Sequence, residues 1–335
     1  MTISRPFLLL LTALLQAEST VPASIPPVAP PIITGYTRFI GKTADRGRSL
    51  IVLRKGEMDG AKYGLVADPS TLTTEWRPLA GLTVTNEPWD TLKETFRATP
   101  YLRALRTAEA NSDTLHDAGL THVPGARSGT VLTVDLCPAQ KPMDRNLFLR
   151  VREAFSVTET PVPIGLSITG SWVRQHPEDF EWLLAQVGSR RIAPLWINHS
   201  FHHRTDTAQP AKSKYLLDTA VNLDEEILGT EKMLLAHDQR PSIFFRFPGL
   251  VSDRALFDRV TAYGLIPVGS DAWLSKNETP SNGSIILIHG NGNEPYGVRK
   301  FLALLDAEKT CMKKGTWRLW DLREGILAED SGRAP

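Results

Sequence analysis

The chain has 335 residues, 41% of them hydrophobic, which is enough for one large domain, or one domain with an extension, around a substantial core. Its 38 lysine and arginine residues nearly balance its 37 aspartate and glutamate residues, which leaves a formal charge of +1. This balance argues against nucleic acid or an anionic membrane as the main partner, but it does not exclude a neutral polymer.

The N-terminus has the pattern of a secretory signal peptide. Arg5 precedes an apolar run at 7–15, and Ala17 supplies a small residue for cleavage. The run is too short to span a bilayer, and no later segment is long and apolar enough to do so. We therefore expect a signal peptide at 1–17 and a secreted or periplasmic protein without stable membrane insertion. The alternative is an uncleaved apolar tail or a membrane anchor.

The next stretch carries little regular pattern. Closely spaced prolines favour extended polyproline structure, so 18–33 is predicted to be a linker. Within 34–126 only a strand at 49–53 and a helix beginning at Pro100 stand out. We expect 34–126 to be an N-terminal extension of unclear fold that packs on the main domain or contributes elements to it.

From Gly129 onward, predicted strands alternate with predicted helices. The strands lie at 130–134, 164–169, 192–197, 243–245, 265–268 and 284–288, and the helices at 146–156, 177–187, 223–238 and 252–264. Repeated β-then-α units favour a parallel sheet with helices outside it, open or closed into a barrel. We assign 127–325 to this α/β domain.

Polar residues follow the ends of several predicted strands. They are Asp135, His199, Arg246, Asp271 and His289. In parallel α/β folds the carboxyl ends of the strands share one face, and active sites are assembled there. We therefore expect these side chains to converge.

His199 and His203 are four residues apart, directly after a strand. If the chain is helical there, they lie on one face and can bind one divalent metal, with zinc as the first choice. His202 is then predicted to point away. The alternative is a pair of ordinary surface or core histidines.

Three further residues have catalytic and structural interpretations. Asp135 is either a turn or capping residue or a general base for an attacking water. Arg246 is either a structural ion-pair partner or the group that orients Asp135. His289 is either a hydrogen-bonded core histidine or the acid that protonates a leaving nitrogen or oxygen.

Taken in order, five short motifs resemble the polysaccharide deacetylases, which carry the NodB-homology domain of carbohydrate esterase family 4. They are TVDLCP at 133–138, ITGSW at 168–172, HSFHH at 199–203, RFPG at 246–249 and LIH at 287–289. HSFHH fits the family's H-[ST]-x-x-H motif fully. The resemblance covers roughly 129–305 and leaves the first third of the chain unexplained.

The resemblance implies a distorted (β/α) barrel and metal-assisted removal of acetyl groups from an N- or O-acetylated polysaccharide. It also implies roles for residues at matching positions. His199 and His203 would bind the metal, Asp135 would be the base, Arg246 would orient that base, and His289 would be the general acid.

One position departs from the family pattern. The family has a second aspartate, its third metal ligand, where this chain has Leu136, and Cys137 stands where a glycine is usual. Asp135 could become the ligand, Cys137 or a distant carboxylate could substitute, or the site could work without metal. A non-catalytic glycan-binding relative and a metal-independent amide hydrolase therefore remain alternatives. Pairing of Cys137 with Cys311 is left open.

Overall fold

The computed structural model describes residues 31–155, 160–204, 210 and 213–331. The predicted signal peptide at 1–17 and most of the predicted linker lie outside the described residues. None of the helices within the described ranges is long and apolar enough to cross a membrane.

The first structured part of the chain is an antiparallel sheet. Its strands are β1 (Ile33–Asp45), β2 (Arg48–Met58), β3 (Ala61–Ala67), β4 (Thr74–Pro78) and β5 (Thr85–Asn86), in the order β4-β3-β2-β1-β5. Arg46-Gly47 and Asp59-Gly60 connect the first three strands, and all four residues have positive φ. This conformation suits two-residue hairpins, whose turns match the twist of the flanking strands. The prediction of a strand at 49–53 found only part of β2.

Two helices follow, α1 (Trp89–Thr95) and α2 (Pro100–Ala110). Pro100 occupies the first turn of α2, where its missing N–H costs nothing, and the Thr99 side chain accepts a hydrogen bond from the N–H of Leu102. The predicted start of this helix is confirmed.

The second sheet is the curled parallel sheet of a distorted (β/α) barrel, which confirms the predicted fold class. Its strands are β6 (Gly129–Leu136), β7 (Val162–Ile168), β8 (Ile192–Asn198), β9 (Phe244–Phe245), β10 (Ile266–Pro267), β11 (Ala272–Trp273), β12 (Ile285–His289) and β13 (Arg318–Leu319). Their order is β10-β9-β8-β7-β6-β12-β11, with β13 beside β6.

The helices of this part are α3 (Arg145–Phe155), α4 (Gly170–Gln175), α5 (Pro177–Gly188), α6 (Leu223–Ala236), α7 (Arg254–Thr261), α8 (Pro295–Lys313) and α9 (Leu322–Ser331). All predicted helices are present with shifted ends, whereas α4, α8 and α9 were not predicted. Side chains of α3, α5 and α8 pack with the outward-facing residues of β6 and β7 in one buried apolar cluster.

A segment between the two sheets completes the barrel. Leu120 pairs with Val268 just beyond β10, and His122 pairs with Ser284 just before β12. The segment therefore pairs with the chain just beyond the edge strand β10 and just before β12, where backbone groups would otherwise be unpaired. Residues from the N-terminal third thus contribute directly to the barrel wall.

A buried ion pair joins the N-terminal sheet to α6. The guanidinium of Arg54 binds both carboxylate oxygens of Glu231 at 2.8 Å, and neither side chain is exposed. The hydroxyl of Tyr36 donates to the same carboxylate at 2.9 Å. The N-terminal sheet and α6 consequently share one polar contact inside an apolar core.

Candidate active site

A cavity of about 300 Å³ opens at the carboxyl ends of the parallel strands. Asp135, His199, His203 and His289 line it. Arg246 does not line the cavity but lies against Asp135, so the structure brings together all five residues that were given a catalytic or metal-binding role. These residues lie on one side of the barrel because the parallel strands that carry them all end there.

Arg246 holds the carboxylate of Asp135 in place. Its Nη1 donates to Oδ1 of Asp135 at 2.7 Å and to the Thr133 hydroxyl at 2.8 Å. Its Nε and Nη2 donate to the backbone carbonyls of Val268 and Gly269. Because Oδ1 is engaged in this way, Oδ2 remains available, and it lies 3.7 Å from Nε2 of His199.

Asp135 is charged although it is buried. Burial alone raises the pKa of its carboxyl, but the guanidinium of Arg246 and the ring of His199 outweigh this effect, so the pKa is lowered. The cavity therefore contains a fixed negative charge.

The two motif histidines meet without a helix, so the helical premise for 199–203 was wrong. Ser200 and His203 have φ of 68° and 48°, which turns the chain back on itself directly after β8. The imidazole rings of His199 and His203 are nonetheless 4.8 Å apart between centroids. Backbone turns with positive φ, and not a helix, therefore bring the two rings together. The four-residue spacing of the histidines does not reveal this conformation.

The two rings differ in their hydrogen bonds. Nδ1 of His199 lies 2.9 Å from the carbonyl of Arg246 and donates to it, which turns Nε2 toward Cys137 and the cavity. Nε2 of His203 is buried and has no hydrogen-bond partner among the described residues. A buried ring nitrogen with no partner requires an explanation.

Cys137 is the cavity residue that the sequence analysis named only as a possible substitute. Its Sγ lies 3.4 Å from Nε2 of His199, and ligand atoms of Cys137, His199 and His203 lie within 4.8 Å of one another. Burial raises the pKa of the thiol, but the imidazoles of His203 and His199 lower it well below its usual value. Period-two alternation along β6 was the available signal, since it places Cys137 on the face of Asp135.

Leu136 has the opposite orientation. It is fully buried in the apolar cluster between the sheet and its outer helices, and it does not line the cavity. A carboxylate at this position would therefore face apolar side chains and not the histidines.

His289 is held by a residue that sequence reasoning missed. Its Nδ1 is 3.0 Å from a carboxylate oxygen of Glu294, which also accepts from the indole N–H of Trp273 at 2.9 Å. Burial lowers the pKa of His289, but its contacts with Cys137 and Glu294 raise it well above its usual value. His289 is therefore an imidazolium, and nothing in the loop sequence marks Glu294 as its partner.

Three other residues, His202, Asp271 and Cys311, lie apart from this chemistry. His202 points away as predicted and binds the carboxylate of Glu226. Asp271 binds the ring of His122 and the N–H of Ile285 and does not line the cavity, so the expectation that it converges with the other strand-end residues was wrong. Both cysteines are free, so Cys137 and Cys311 form no bridge.

No protein-family model matches the chain. Among solved structures it is similar to family 4 carbohydrate esterases. One, from Bacillus anthracis, is 15% identical, with 67% of this chain and 91% of that chain covered and a TM-score of 0.45. PdaA from Bacillus subtilis, another family 4 carbohydrate esterase, is 13% identical with 67% and 88% covered and a TM-score of 0.43. The chitin deacetylase from Colletotrichum lindemuthianum is 14% identical with 62% and 89% covered and a TM-score of 0.42.

Proposed function

We propose that the protein is an exported, metal-assisted hydrolase that removes acetyl groups from an N- or O-acetylated polysaccharide. The observation that supports this is the convergence of Asp135, Cys137 and His289, whose ligand atoms lie within 4.8 Å of one another in the cavity that also contains His199 and His203. A base, an acid and two imidazoles that can bind a metal therefore face one volume.

The residues fit a divalent cation. Nε2 of His203 has no hydrogen-bond partner among the described residues, and the His203 ring lies 4.8 Å from the His199 ring between centroids. His199 and His203 would hold the cation, with zinc preferred. A cation there would polarise the acetyl carbonyl and lower the pKa of the attacking water.

The side chains then divide the proton transfers. Oδ2 of Asp135 accepts a proton from the water while Arg246 keeps Oδ1 in place. The water oxygen adds to the carbonyl carbon, and the bond to the sugar nitrogen or oxygen breaks. The imidazolium of His289, fixed through Nδ1 by Glu294, gives its proton to that leaving atom.

Acetate release from N-acetylated and O-acetylated oligosaccharides tests the proposal. The metal-loaded protein should release acetate, a chelator should stop the reaction, and Asp135→Asn should reduce kcat by about 10²–10⁴-fold. Metal analysis should show a loss of bound zinc in His199→Ala. Absence of acetate release with every divalent metal tried would overturn the proposal. Glycan binding that is unchanged by Asp135→Asn and never accompanied by turnover would support a binding protein instead.

The contact between Cys137 and His199 also favours a second candidate, a metal-independent amide hydrolase. A thiol 3.4 Å from a ring nitrogen is the arrangement of a cysteine nucleophile and its base. Activity that survives complete metal removal but is lost on alkylation of Cys137 would support this alternative.

A further inference from the structure

We propose that the Cys137 thiolate is the third protein ligand of the metal, so that the site is a Cys-His-His zinc centre in place of a carboxylate-containing one. The inference rests on the proposed function in taking His199 and His203 as metal ligands. It adds a ligand of a different chemical class and with it a metal preference.

The distances suit one tetrahedral ion. Zinc binds thiolate sulfur at about 2.3 Å and imidazole nitrogen at about 2.0–2.1 Å, so these two ligand atoms lie about 3.5 Å apart around it. Sγ of Cys137 and Nε2 of His199 are separated by 3.4 Å. The ligand atoms of Cys137, His199 and His203 all lie within 4.8 Å of one another, so the set needs little movement to close on an ion.

The backbone holds Cys137 in this position. The side-chain amide of Asn291 donates to the carbonyl of Cys137 at 2.8 Å, and both the N–H and the hydroxyl of Thr169 donate to the carbonyl of Leu136. The end of β6 is thus anchored from two neighbouring loops. With Leu136 directed into the apolar core, Cys137 is the residue after Asp135 whose side chain reaches the histidines.

The unpartnered nitrogen of His203 is an independent sign of a ligand. His203 is 8% exposed, and its Nε2 has no hydrogen-bond partner within the described part of the chain. The ring of Tyr215 covers the same imidazole edge to face, with 5.4 Å between centroids. A cation bound by all three ligands would satisfy this nitrogen.

The proposed ligands also determine which metals are preferred and which side chain remains available as a base. Asp135 does not belong to the group of Cys137, His199 and His203, and with Oδ1 held by Arg246 its Oδ2 is left to act as the base. One thiolate and two neutral imidazoles favour zinc or cobalt over magnesium, calcium or manganese, which prefer oxygen ligands. A metal held by these three side chains would still be able to bind water or substrate.

Cobalt substitution tests the assignment in the full-length protein. The metal-free protein is reloaded with Co²⁺, and its near-ultraviolet spectrum is searched for the sulfur-to-cobalt charge-transfer band that only a thiolate ligand produces. Cys311→Ser is the matched control because it removes the other thiol of the chain, which lies outside the cluster. The band should be present in wild type and in Cys311→Ser, and absent in Cys137→Ser.

A further variant guards against misfolding of Cys137→Ser. Cys137→Asp should retain one metal per chain without the band and should shift the preference from zinc toward manganese. A wild-type cobalt protein without the band, or a band that persists in Cys137→Ser, would overturn the inference. A band without acetate release would leave the thiolate ligand standing while the proposed function fails. Metal-dependent acetate release without a band would support the proposed function and overturn the thiolate ligand.

Discussion

The carboxylate of Glu226 holds His202 by both its backbone and its ring. It accepts the N–H of His202 at 2.9 Å and lies 3.0 Å from the Nδ1 of the same residue. It also accepts the N–H of Phe201 at 2.9 Å. Glu226 lies on α6 and does not line the cavity, yet it fixes the turn that places His199 and His203 together.

Replacing Glu226 by alanine should therefore weaken both folding and metal binding. The buried N–H of Phe201 and the partly buried N–H of His202 would lose their acceptor, at about 1–3 kcal/mol each, which predicts a loss of up to about 6 kcal/mol in the free energy of unfolding. Loss of a group that orients metal ligands should lower zinc affinity about 10–100-fold. Urea unfolding and competitive zinc titration measure the two effects.

Glu225→Gln is the matched control for this variant. Glu225 is the neighbouring residue, its side chain is 56% exposed, and it lies 3.5 Å from Nε2 of the same His202. Its replacement should change stability by less than about 0.5 kcal/mol. Equal zinc affinity in the two variants would contradict the role given to Glu226.

The ion pair between Arg54 and Glu231 predicts that contacts of the N-terminal sheet with α6 contribute to the folding stability of the barrel. Because both side chains are fully buried, Arg54→Met or Glu231→Leu alone would leave an uncompensated charge and should cost about 3–5 kcal/mol of unfolding free energy. The double variant removes both charges and should recover most of that loss. Chemical denaturation of wild type, the two single variants and the double variant gives a double-mutant cycle.

An additive result in that cycle would show that the two residues act independently. Losses below about 1 kcal/mol in both single variants, the range of exposed ion pairs, would also contradict the prediction.

Local patterns predicted six of the eight barrel strands, because each of the six lies in an apolar run that its neighbours bury. The strands β11 and β13 were missed, since each is only two residues long. The same reasoning failed for the N-terminal sheet. Much of β1 is exposed, as the burial pattern of Ile33–Asp45 shows, so it lacks the continuous apolar signal of β6. The segment at 116–123 was also missed, because it pairs only through isolated bridges, to Val251, Val268 and Ser284, and forms no continuous strand.

Residue types at strand ends predicted the site, but the way in which backbone geometry assembles it was not predicted. His199 and His203 meet through positive φ at Ser200 and His203, which only the tertiary contacts around that loop impose. The order of residues after Asp135 suggested a missing ligand at Leu136, whereas the alternation of β6 directs Cys137 into the cavity.

The proposed roles of Asp135 and His289 predict a bell-shaped dependence of kcat/KM on pH. Activity needs a charged Asp135 and a protonated His289, so the alkaline limb reports loss of the His289 proton. Burial lowers the pKa of His289, but its contacts with Cys137 and Glu294 raise it, and Glu294→Gln should therefore move the alkaline limb to lower pH. The acid limb should stay in place. Initial rates on an acetylated oligosaccharide measure both limbs, and an unmoved alkaline limb would argue against His289 as the acid.

The same contact predicts how folding stability depends on pH in acid. Burial raises the pKa of Glu294, but the hydrogen bond and charge of His289 outweigh this effect and lower the pKa from 4.5 to about 2. The unfolded chain therefore binds this proton more readily than the folded chain, so the contribution of Glu294 to stability is fully present above pH 4.5 and is lost as pH falls toward about 2. In Glu294→Gln this part of the dependence should be absent.

Urea unfolding across that acid range measures the stability difference between wild type and Glu294→Gln. The difference should shrink steadily as the pH falls, because protonation of Glu294 removes from wild type the charged contact with His289 that the variant already lacks. Glu181→Gln is the control, since Glu181 is exposed on α5 and its replacement should leave the wild-type dependence intact. A difference that stays constant throughout acidification would mean that Glu294 is not a charged partner of His289 in the folded protein.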